Sequence, residues 1–279
     1  MLNCLSILHI NTMNTSSSTN LFLERPAIFL EAIYGNQLGQ LRVEQILDDL
    51  EHFLTQHEVT TIVDIGAGHA PVTLTLLSRH PNLRAHLVEP SAELIAQAKI
   101  NAEQLEVAAD RVTYQQTELA EYIASGGHDG ELVLCHAVVN WTVDPRQFIA
   151  DLTSHCASRQ QWVSLVFGGS SGKSLRFATQ GNMADLLTSV QFPGSLVGSF
   201  SYTAQVKPLD PTTVQTQLVD AGCEIVLQAG VRIFADYVPP AVLNNDQSFA
   251  VLRQAENLAR RDERYWRLGQ LVHFIYRKT

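Results

Sequence analysis

The chain carries a glycine turn and an acidic residue at a spacing that suits the binding of a nucleoside. The apolar run Thr60 to Ile65 leads into Gly66-Ala67-Gly68. Glycines allow the backbone to turn tightly at the carboxyl end of a strand, where an open α/β sheet binds ligands. Glu89 ends the next predicted strand about twenty residues later, and a carboxylate there can accept both hydroxyls of an adenosine ribose. This order of strand, glycine turn, helix, strand and acid indicates a nucleoside-containing cofactor.

The residues around the glycine turn narrow the choice of cofactor. A turn that binds a pyrophosphate has a third glycine for close helix packing, and Pro71 occupies that place here. Asp64 would put a negative charge beside a diphosphate, whereas it suits a ligand that carries an ammonium group and a sulfonium. S-adenosylmethionine therefore fits this site, and a dinucleotide fits less well.

The hydrophobic pattern predicts an α/β fold with a doubly wound, Rossmann-like sheet. β-Branched and apolar runs alternate with stretches of helical periodicity, which is typical of a mostly parallel sheet covered on both faces. The predicted strands are Thr60 to Ile65, His86 to Glu89, Arg111 to Gln116, Leu132 to Cys135, Trp162 to Phe167, Glu224 to Leu227 and Leu271 to Tyr276. Because two strands close the chain without the earlier crossovers, we expect a seven-stranded sheet whose last strand runs antiparallel between its neighbours.

Two segments lie outside this pattern. Residues 1–20 are polar and include the Ser/Thr/Asn run Asn14 to Asn20, so we expect a tail without structure, followed by one domain over residues 21–279. After the fifth strand the alternation stops, and Gly168 to Lys207 contains six glycines and few charges. We expect this segment, at about residues 168–207, to be an insertion or lid over the functional edge of the sheet.

At these residues the chain resembles the class I S-adenosylmethionine-dependent methyltransferases. It is similar in particular to the bacterial tRNA 5-carboxymethoxyuridine methyltransferases, which methylate the carboxylate of a modified wobble uridine. The segments that carry this similarity are Ile33-Tyr34-Gly35, Gly39-Gln40-Leu41-Arg42, Cys135 to Trp141 with Asp144-Pro145, Gly230 to Phe234 with Asp236-Tyr237, and Leu268-Gly269. The resemblance runs from about Ile33 to Lys278 and implies an enzyme that transfers a methyl group.

The resemblance implies roles for individual residues. It assigns the cofactor site to Arg42, Gly66, Ala67, Glu89, Leu119 and His136. Arg42 would meet the methionine carboxylate and Glu89 the ribose. The backbone near Leu119 would meet the adenine, and His136 would line the methionine side. Asp64 and Gly68, from the glycine turn itself, complete the predicted cofactor set.

The acceptor side can be predicted from the chemistry of the transfer. Methyl transfer from a sulfonium is an in-line displacement that mainly requires alignment. A carboxylate acceptor, with a pKa of about 4, is ionised at neutral pH and needs no general base. An arginine could hold it by paired hydrogen bonds, and the candidate catalytic residues are Arg232 and Tyr202. Trp141 could stack on an exposed base or serve only in packing.

Charge leaves the acceptor open. The chain has 28 acidic and 19 basic residues, for a net charge of −9, and Gly194 to Lys207 carries one lysine where the tRNA enzymes are lysine-rich. Only the segment Arg253 to Thr279 is basic, and a helix there would align Arg253, Arg260, Arg264 and Arg267 along one face that could track phosphates. A tRNA acceptor and a small-molecule acceptor therefore both remain, as does a non-catalytic or dinucleotide-binding Rossmann module.

Composition sets the remaining expectations. No apolar run approaches the length of a membrane span, and the first residues lack the basic start of a secretory signal. Four scattered cysteines, Cys4, Cys135, Cys156 and Cys223, indicate neither a disulfide framework nor a structural zinc site. We therefore expect a cytoplasmic protein without a membrane partner or a metal.

Overall fold

The computed structural model describes residues 30–31, 33–193, 198–200 and 203–279 of the chain. Its strands are β1 Thr61–Ile65, β2 Arg84–Val88, β3 Val112–Gln115, β4 Leu132–His136, β5 Trp162–Gly168, β6 Gly198–Phe200, β7 Thr203–Val206, β8 Cys223–Val231 and β9 Leu271–Lys278. Its α-helices are α1 Gln37–Leu54, α2 Pro71–Arg79, α3 Ala92–Gln104, α4 Leu119–Ala124, α5 Pro145–Ala157, α6 Ser170–Thr179, α7 Met183–Gln191, α8 Pro211–Asp220, α9 Pro240–Leu243 and α10 Asp246–Ala259. Within these ranges, none of the helices is both long and apolar enough to cross a membrane.

Seven of the strands form one mixed sheet in the order β3-β2-β1-β4-β5-β9-β8. Strands β1 to β5 are parallel, and β9 runs antiparallel to both β5 and β8. The predicted seven-stranded sheet with an antiparallel last strand is confirmed. Because the strand order reverses between β1 and β4, a ligand crevice is expected at the carboxyl ends of these strands.

Helices cover both faces of the sheet. One hydrophobic cluster joins α1, α2 and α3 to the sheet through Leu50, Leu74 and Ala98. A second cluster joins α5 and α8 to the opposite face through Leu152 and Leu218. Helices α5 and α8 on this second face begin at side-chain caps, because Asp144 and Asp210 accept backbone N–H groups in front of a proline in the first helical turn. The sheet is thereby fixed between two layers, and its carboxyl edge is positioned for a site.

Strand β8 is longer than the predicted Glu224 to Leu227, because Gly230 belongs to the strand and not to the following loop. A Cβ atom at Gly230 would lie 2.7 Å from the carbonyl oxygen of Trp266. A glycine inside a strand often marks such a close backbone approach. The extension carries β8 to Val231 and places Arg232 directly at the edge of the sheet.

The segment between β5 and α8 is inserted outside the seven-stranded sheet. It contains α6 and α7 and a separate hairpin of β6 and β7. The segment has more regular structure than its glycine content indicates. Gly172, for example, lies within α6, and a glycine is needed there for close packing, because a Cβ atom would be 2.6 Å from the carbonyl oxygen of Gly269. That this insertion acts as a lid remains a prediction.

The predicted basic face at the C-terminus is wrong. Helix α10 ends at Ala259, so the four arginines do not lie along one helix. Each is paired with a carboxylate: Arg253 with Glu44 at 2.7 Å, Arg260 with Asp48 at 2.8 Å and with Asp49, Arg264 with Asp262 at 2.7 Å, and Arg267 with Glu263 at 3.1 Å. Arg260 is also only 1% exposed. Acidic residues of α1, together with Asp262 and Glu263 after α10, therefore neutralise the four arginines that the sequence spacing predicts on one face.

Candidate active site

A cleft of about 1550 Å³ lies at the carboxyl edge of the sheet. Ligand pockets usually measure about 300–1,000 Å³, so the cleft has room for more than one small ligand. Most of the predicted site residues line it together: Arg42, Asp64, Gly66, Ala67, Gly68, Glu89, His136 and Arg232. The structure thus brings one set of residues predicted for a cofactor into the same cleft as a residue predicted for the acceptor.

Two further predicted site residues stay predictions. Leu119 begins α4, directly after Thr117 and Glu118, which line the cleft. The predicted adenine contact near Leu119 was assigned to the backbone, and it stays a prediction. Tyr202 lies outside the described residues, so its predicted contact with the acceptor also stays a prediction.

The glycine turn after β1 depends on both of its glycines. Gly66 has a φ of 69°, and a Cβ atom there would lie 2.4 Å from a methyl group of Val138. Gly68 has a φ of 59°, which also disfavours a side chain. The N–H groups of Gly66 and Ala67 both donate to the carbonyl of Val88, at 2.8 and 3.1 Å. The turn therefore packs directly against the ends of β2 and β4.

Glu89 follows β2 and closes the turn from the other side. Its Oε2 accepts the N–H of Gly68 at 2.9 Å, and its Oε1 accepts the N–H of Ser91 at 3.0 Å. Burial raises the pKa of this carboxyl group, although the two backbone N–H groups counteract the rise. Each carboxylate oxygen has two lone pairs, so one on each remains for two ligand hydroxyls.

Asp64 is buried beneath the turn, at the end of β1. Its Oδ2 accepts the hydroxyl of Thr73 at 2.5 Å. Burial raises the pKa of Asp64 to about 7, the Thr73 hydrogen bond lowers it, and the charge of Glu89 raises it further. Two buried acids side by side form an acidic end of the cleft that favours a positively charged ligand group.

Arg42 lies in the same cleft without a carboxylate partner among the described residues. Its side chain projects from α1, and its guanidinium lies 5.2 Å from the centre of the Tyr34 ring. The residue is 8% exposed. Together with burial, which is the larger cause, its charge lowers the pKa of His69 to about 4. A buried arginine costs free energy unless an anion pairs with it, so Arg42 suits a carboxylate of the ligand.

The opposite end of the cleft is cationic. Arg232 donates from Nε and Nη2 to the two carboxylate oxygens of Asp236, both at 2.7 Å. Arg176 Nη1 lies 3.7 Å from the same carboxylate, and Lys173 lines the cleft one turn earlier on α6. Lys173, Arg176 and Arg232 thus line the same cleft as Asp236, and cationic side chains suit an anionic acceptor.

The turn that carries Arg232 is built around one buried carboxylate. Glu256, on α10, accepts the N–H of Ile233 at 2.8 Å through Oε2 and the N–H groups of Phe234 and Ala235, both at 2.8 Å, through Oε1. Arg232 itself has a φ of 57°, a left-handed conformation that costs free energy outside glycine. Glu256 therefore holds a strained turn in the geometry that directs Arg232 into the cleft.

Several residues of this site were not found in the sequence. Thr73, Lys173, Arg176 and Glu256 have no motif, and Asp236 was noticed only as part of a similar segment. The signal that could have found Lys173 and Arg176 is their spacing of three, which puts two cations on one helical face of a segment otherwise poor in charge. No comparable signal exists for Glu256, whose partners are more than twenty residues away.

The described residues contain no cluster of three or more His, Cys, Asp or Glu side chains that could hold a metal ion. The fold agrees with comparisons to known proteins. Residues 63–159, which contain the glycine turn and Glu89, match the family model of a methyltransferase domain.

Curated relatives extend this match over most of the chain. The chain is 28% identical over 253 residues to the tRNA 5-carboxymethoxyuridine methyltransferases of Escherichia coli strains O157:H7 and K12, covering 90% of this chain and 93% of each relative.

Solved structures share the fold at lower identity. Magnesium protoporphyrin IX methyltransferase from Synechocystis PCC 6803 with bound SAH has a TM-score of 0.57 and 15% identity, covering 92% of this chain and 96% of that one. A plantazolicin methyltransferase in complex with an azole analog and SAH has a TM-score of 0.56 and 14% identity, covering 93% and 94%.

Proposed function

We propose that this chain, which is a class I S-adenosylmethionine-dependent methyltransferase, methylates the carboxylate of 5-carboxymethoxyuridine at the wobble position of tRNA. The relatives that are 28% identical over 90% of the chain have this activity in their name. The observation that carries the proposal is the group of cationic side chains in the cleft, where Arg176 and Arg232 lie beside the carboxylate of Asp236 and Lys173 lines the same cavity. An acceptor that ends in a carboxylate would be held there.

The two ends of the cleft have different tasks in this proposal. When bound, S-adenosylmethionine supplies a methyl group on a sulfonium. Glu89 would accept the ribose hydroxyls, Arg42 would pair with the methionine carboxylate, and Asp64 would favour the positive charges of the cofactor. Because Arg42 is cationic and Asp64 becomes anionic once a cationic ligand displaces its proton, the cleft can orient the zwitterionic end of the ligand and not only attract it.

Arg232 would orient the acceptor carboxylate. Its guanidinium holds Asp236 by two parallel hydrogen bonds, and a guanidinium has five N–H donors. It can therefore keep Asp236 and still donate to an incoming carboxylate, or exchange partners. The acceptor is already ionised at neutral pH, so the chain needs to supply alignment and the exclusion of water, with no base.

A small anionic acceptor is the second candidate. The net charge of −9 and the pairing of all four predicted phosphate-facing arginines with carboxylates favour a substrate without a long phosphate backbone. The cationic end of the cleft accommodates a small carboxylic acid as well as a nucleotide carboxylate.

Methyl transfer by the purified protein separates these candidates. With labelled S-adenosylmethionine, we expect label to enter tRNA that carries 5-carboxymethoxyuridine and not the same tRNA with 5-methoxyuridine, which lacks the carboxylate. Arg232→Ala should abolish transfer and leave the affinity for S-adenosylhomocysteine unchanged, whereas Arg253→Ala, which removes an exposed arginine outside the cleft, should leave both unchanged. Label that enters small carboxylic acids and no tRNA would reject the tRNA acceptor. Because tRNA is the proposed acceptor, we expect the protein to act in the cytoplasm.

A further inference from the structure

A chain of polar side chains crosses the interior from the cleft to α1. His136 Nε2 lies 2.8 Å from Ser164 Oγ, which lies 2.8 Å from His273 Nε2, and His273 Nδ1 lies 2.8 Å from Asp49 Oδ2. The three sheet residues belong to the neighbouring strands β4, β5 and β9. Their register places all three side chains on one face of the sheet, because His136 and His273 both lie opposite Val166, two residues from Ser164.

The chain is anchored by an ionised carboxylate. Asp49 accepts hydrogen bonds from His273, from Arg260 and from Arg261 Nε at 3.0 Å. Burial would raise the pKa of Asp49, but His273 and the two guanidinium groups hold it below the ordinary value. An ionised carboxylate can only accept. The Nδ1 of His273 must therefore carry the proton that it shares with Asp49.

Charge balance indicates that His273 is neutral. The carboxylates of Asp48 and Asp49 are already paired with the guanidinium groups of Arg260 and Arg261. The buried carboxylate of Glu256 also acts on Arg260, but it accepts the backbone N–H groups of the turn after β8. An imidazolium at His273 would therefore be a third cation beside the one carboxylate of Asp49, which is costly in the interior. With its proton on Nδ1, a neutral His273 presents a lone pair at Nε2, so the Ser164 hydroxyl donates to it.

The single hydroxyl proton of Ser164 decides the protonation of His136. Since that proton is directed to His273, the oxygen of Ser164 can only accept from His136 Nε2, which must therefore be the protonated nitrogen. The other nitrogen, Nδ1, has no hydrogen-bond partner among the described residues. Three side-chain atoms of the described residues are buried and lack a partner, namely Gln37 Oε1, Gln161 Oε1 and Arg260 Nε. His136 Nδ1 is not one of these three, so it lacks a partner without being buried. It is therefore open to the cleft that His136 lines.

We propose that Asp49, His273 and Ser164 are positioning residues that fix His136 in the tautomer protonated at Nε2, so that the Nδ1 lone pair accepts a hydrogen bond from a cationic N–H donor of the bound ligand. In S-adenosylmethionine that donor is the ammonium group. The ligand part of this inference rests on the proposed function, whereas the tautomer is a property of the protein alone.

A neutral acceptor at this position suits a ligand with two positive charges. Burial lowers the pKa of His136 well below its ordinary value, and the charge of Arg42 lowers it further. A protonated ring would repel both the ammonium and the sulfonium. If both ring tautomers were populated, only one could bind the ligand, and the apparent affinity would fall in proportion to the population of that form. A fixed tautomer avoids this loss of affinity.

The tautomer can be measured directly by ¹⁵N NMR of the histidine rings in the full-length protein, with His136 assigned by the loss of its signals in His136→Gln. We expect one form of His136, with a proton on Nε2 and an unprotonated Nδ1 whose resonance moves when S-adenosylhomocysteine is added. Ser164→Ala should give averaged signals of two tautomers and weaken S-adenosylhomocysteine binding by about twofold.

Thr153→Val is the matched control, because it removes another buried hydroxyl of the sheet region, which lies 3.0 Å from the hydroxyl of Tyr276 and outside this chain of side chains. It should leave the signals of His136 unchanged. A proton on Nδ1 of His136 in the wild-type protein, or unchanged His136 signals in Ser164→Ala, would overturn the proposed tautomer. An Nδ1 resonance that does not move when S-adenosylhomocysteine binds would overturn the proposed contact between His136 and the ligand. This result would be distinct from a failure of the proposed function, which concerns the methyl acceptor.

Discussion

Asp64 and Glu89 differ in their hydrogen bonds although both are buried acids at the same end of the cleft. Glu89 accepts two backbone N–H groups, whereas Asp64 accepts one hydroxyl. Both pKa values are raised, and that of Asp64 reaches about 7. Asp64, which has fewer donors, therefore keeps a proton at a pH well above the usual range of a carboxyl group, and a cationic ligand would displace that proton.

Asp64→Asn should change the pH dependence of stability. Because the pKa of Asp64 is raised in the folded protein from 3.8 to about 7, its contribution to stability is greatest below about pH 4 and is lost as the pH rises to about 7, by at most about 1.4 kcal/mol per pH unit. Asparagine keeps an oxygen for the Thr73 hydroxyl and has no charge, so the variant should be more stable than the wild type at about pH 8.

Urea unfolding without ligand from about pH 4 to about pH 8 measures this difference. Asp151→Asn, which neutralises an exposed acid at the rim of the cleft, serves as the control and should follow the wild type. Parallel pH profiles for Asp64→Asn and the wild type would show that the Asp64 proton is not linked to folding.

Glu89→Ala should weaken the binding of S-adenosylmethionine. Each hydrogen bond to a charged acceptor contributes about 1.5–3 kcal/mol, so the loss of two ribose contacts should raise the dissociation constant by about tenfold or more. Calorimetry with the wild type, Glu89→Ala and the control Glu93→Gln, which changes an exposed acid in the first turn of α3, measures this effect. Equal dissociation constants would remove Glu89 from the cofactor site.

At the scale of elements, the turn after β8 depends on a helix that does not touch the cofactor end of the cleft. Glu256→Gln should disturb this turn, because the amide nitrogen would face backbone N–H donors whichever way it is oriented. A buried group left unsatisfied costs about 1–3 kcal/mol. We expect a higher KM for the methyl acceptor with little change in the dissociation constant of S-adenosylmethionine.

Steady-state kinetics and calorimetry together test this separation. Glu224→Gln, at the exposed start of the same strand, is the matched control and should change neither quantity. A Glu256→Gln protein with an unchanged acceptor KM would show that Arg232 does not need this turn to meet the acceptor.

The C-terminal arginines belong to the architecture and not to a phosphate-facing surface. Arg260→Ala should lower the free energy of unfolding by about 3–5 kcal/mol, because it breaks a buried ion pair and leaves the partly exposed Arg261 as the remaining guanidinium partner of the buried Asp49. Arg264→Ala should have no measurable effect, since Arg264 is exposed and pairs only with its neighbour Asp262. Denaturant unfolding of the two variants measures the contrast, and equal stabilities would contradict the buried role of Arg260.

At the scale of the whole molecule, the sequence predicts what is local and misses what is brought together by the fold. Gly66, Gly68 and Glu89 could be found because they follow consecutive strands, and hydrophobic alternation located the strands themselves. Arg260 was misplaced because its partner Asp49 lies 211 residues away. The cationic end of the cleft was missed for the same reason, since α6 and the turn after β8 meet only in the folded protein.

The same distribution of charge decides how the molecule can meet an acceptor. The net charge is −9, and the C-terminal arginines are paired with carboxylates, whereas Lys173, Arg176 and Arg232 line the cleft. The account therefore predicts that the anionic group bound most closely is the acceptor carboxylate itself.

The most direct test is mass spectrometry of the wobble nucleoside in tRNA from an Escherichia coli strain that lacks its own tRNA 5-carboxymethoxyuridine methyltransferase and expresses this chain. The account predicts that the methyl ester of 5-carboxymethoxyuridine appears with the wild-type chain and is absent with Arg232→Ala expressed at the same level. The result that would contradict the proposed acceptor is a wobble nucleoside that remains the free acid, although the wild-type chain purified from the same cells binds S-adenosylmethionine.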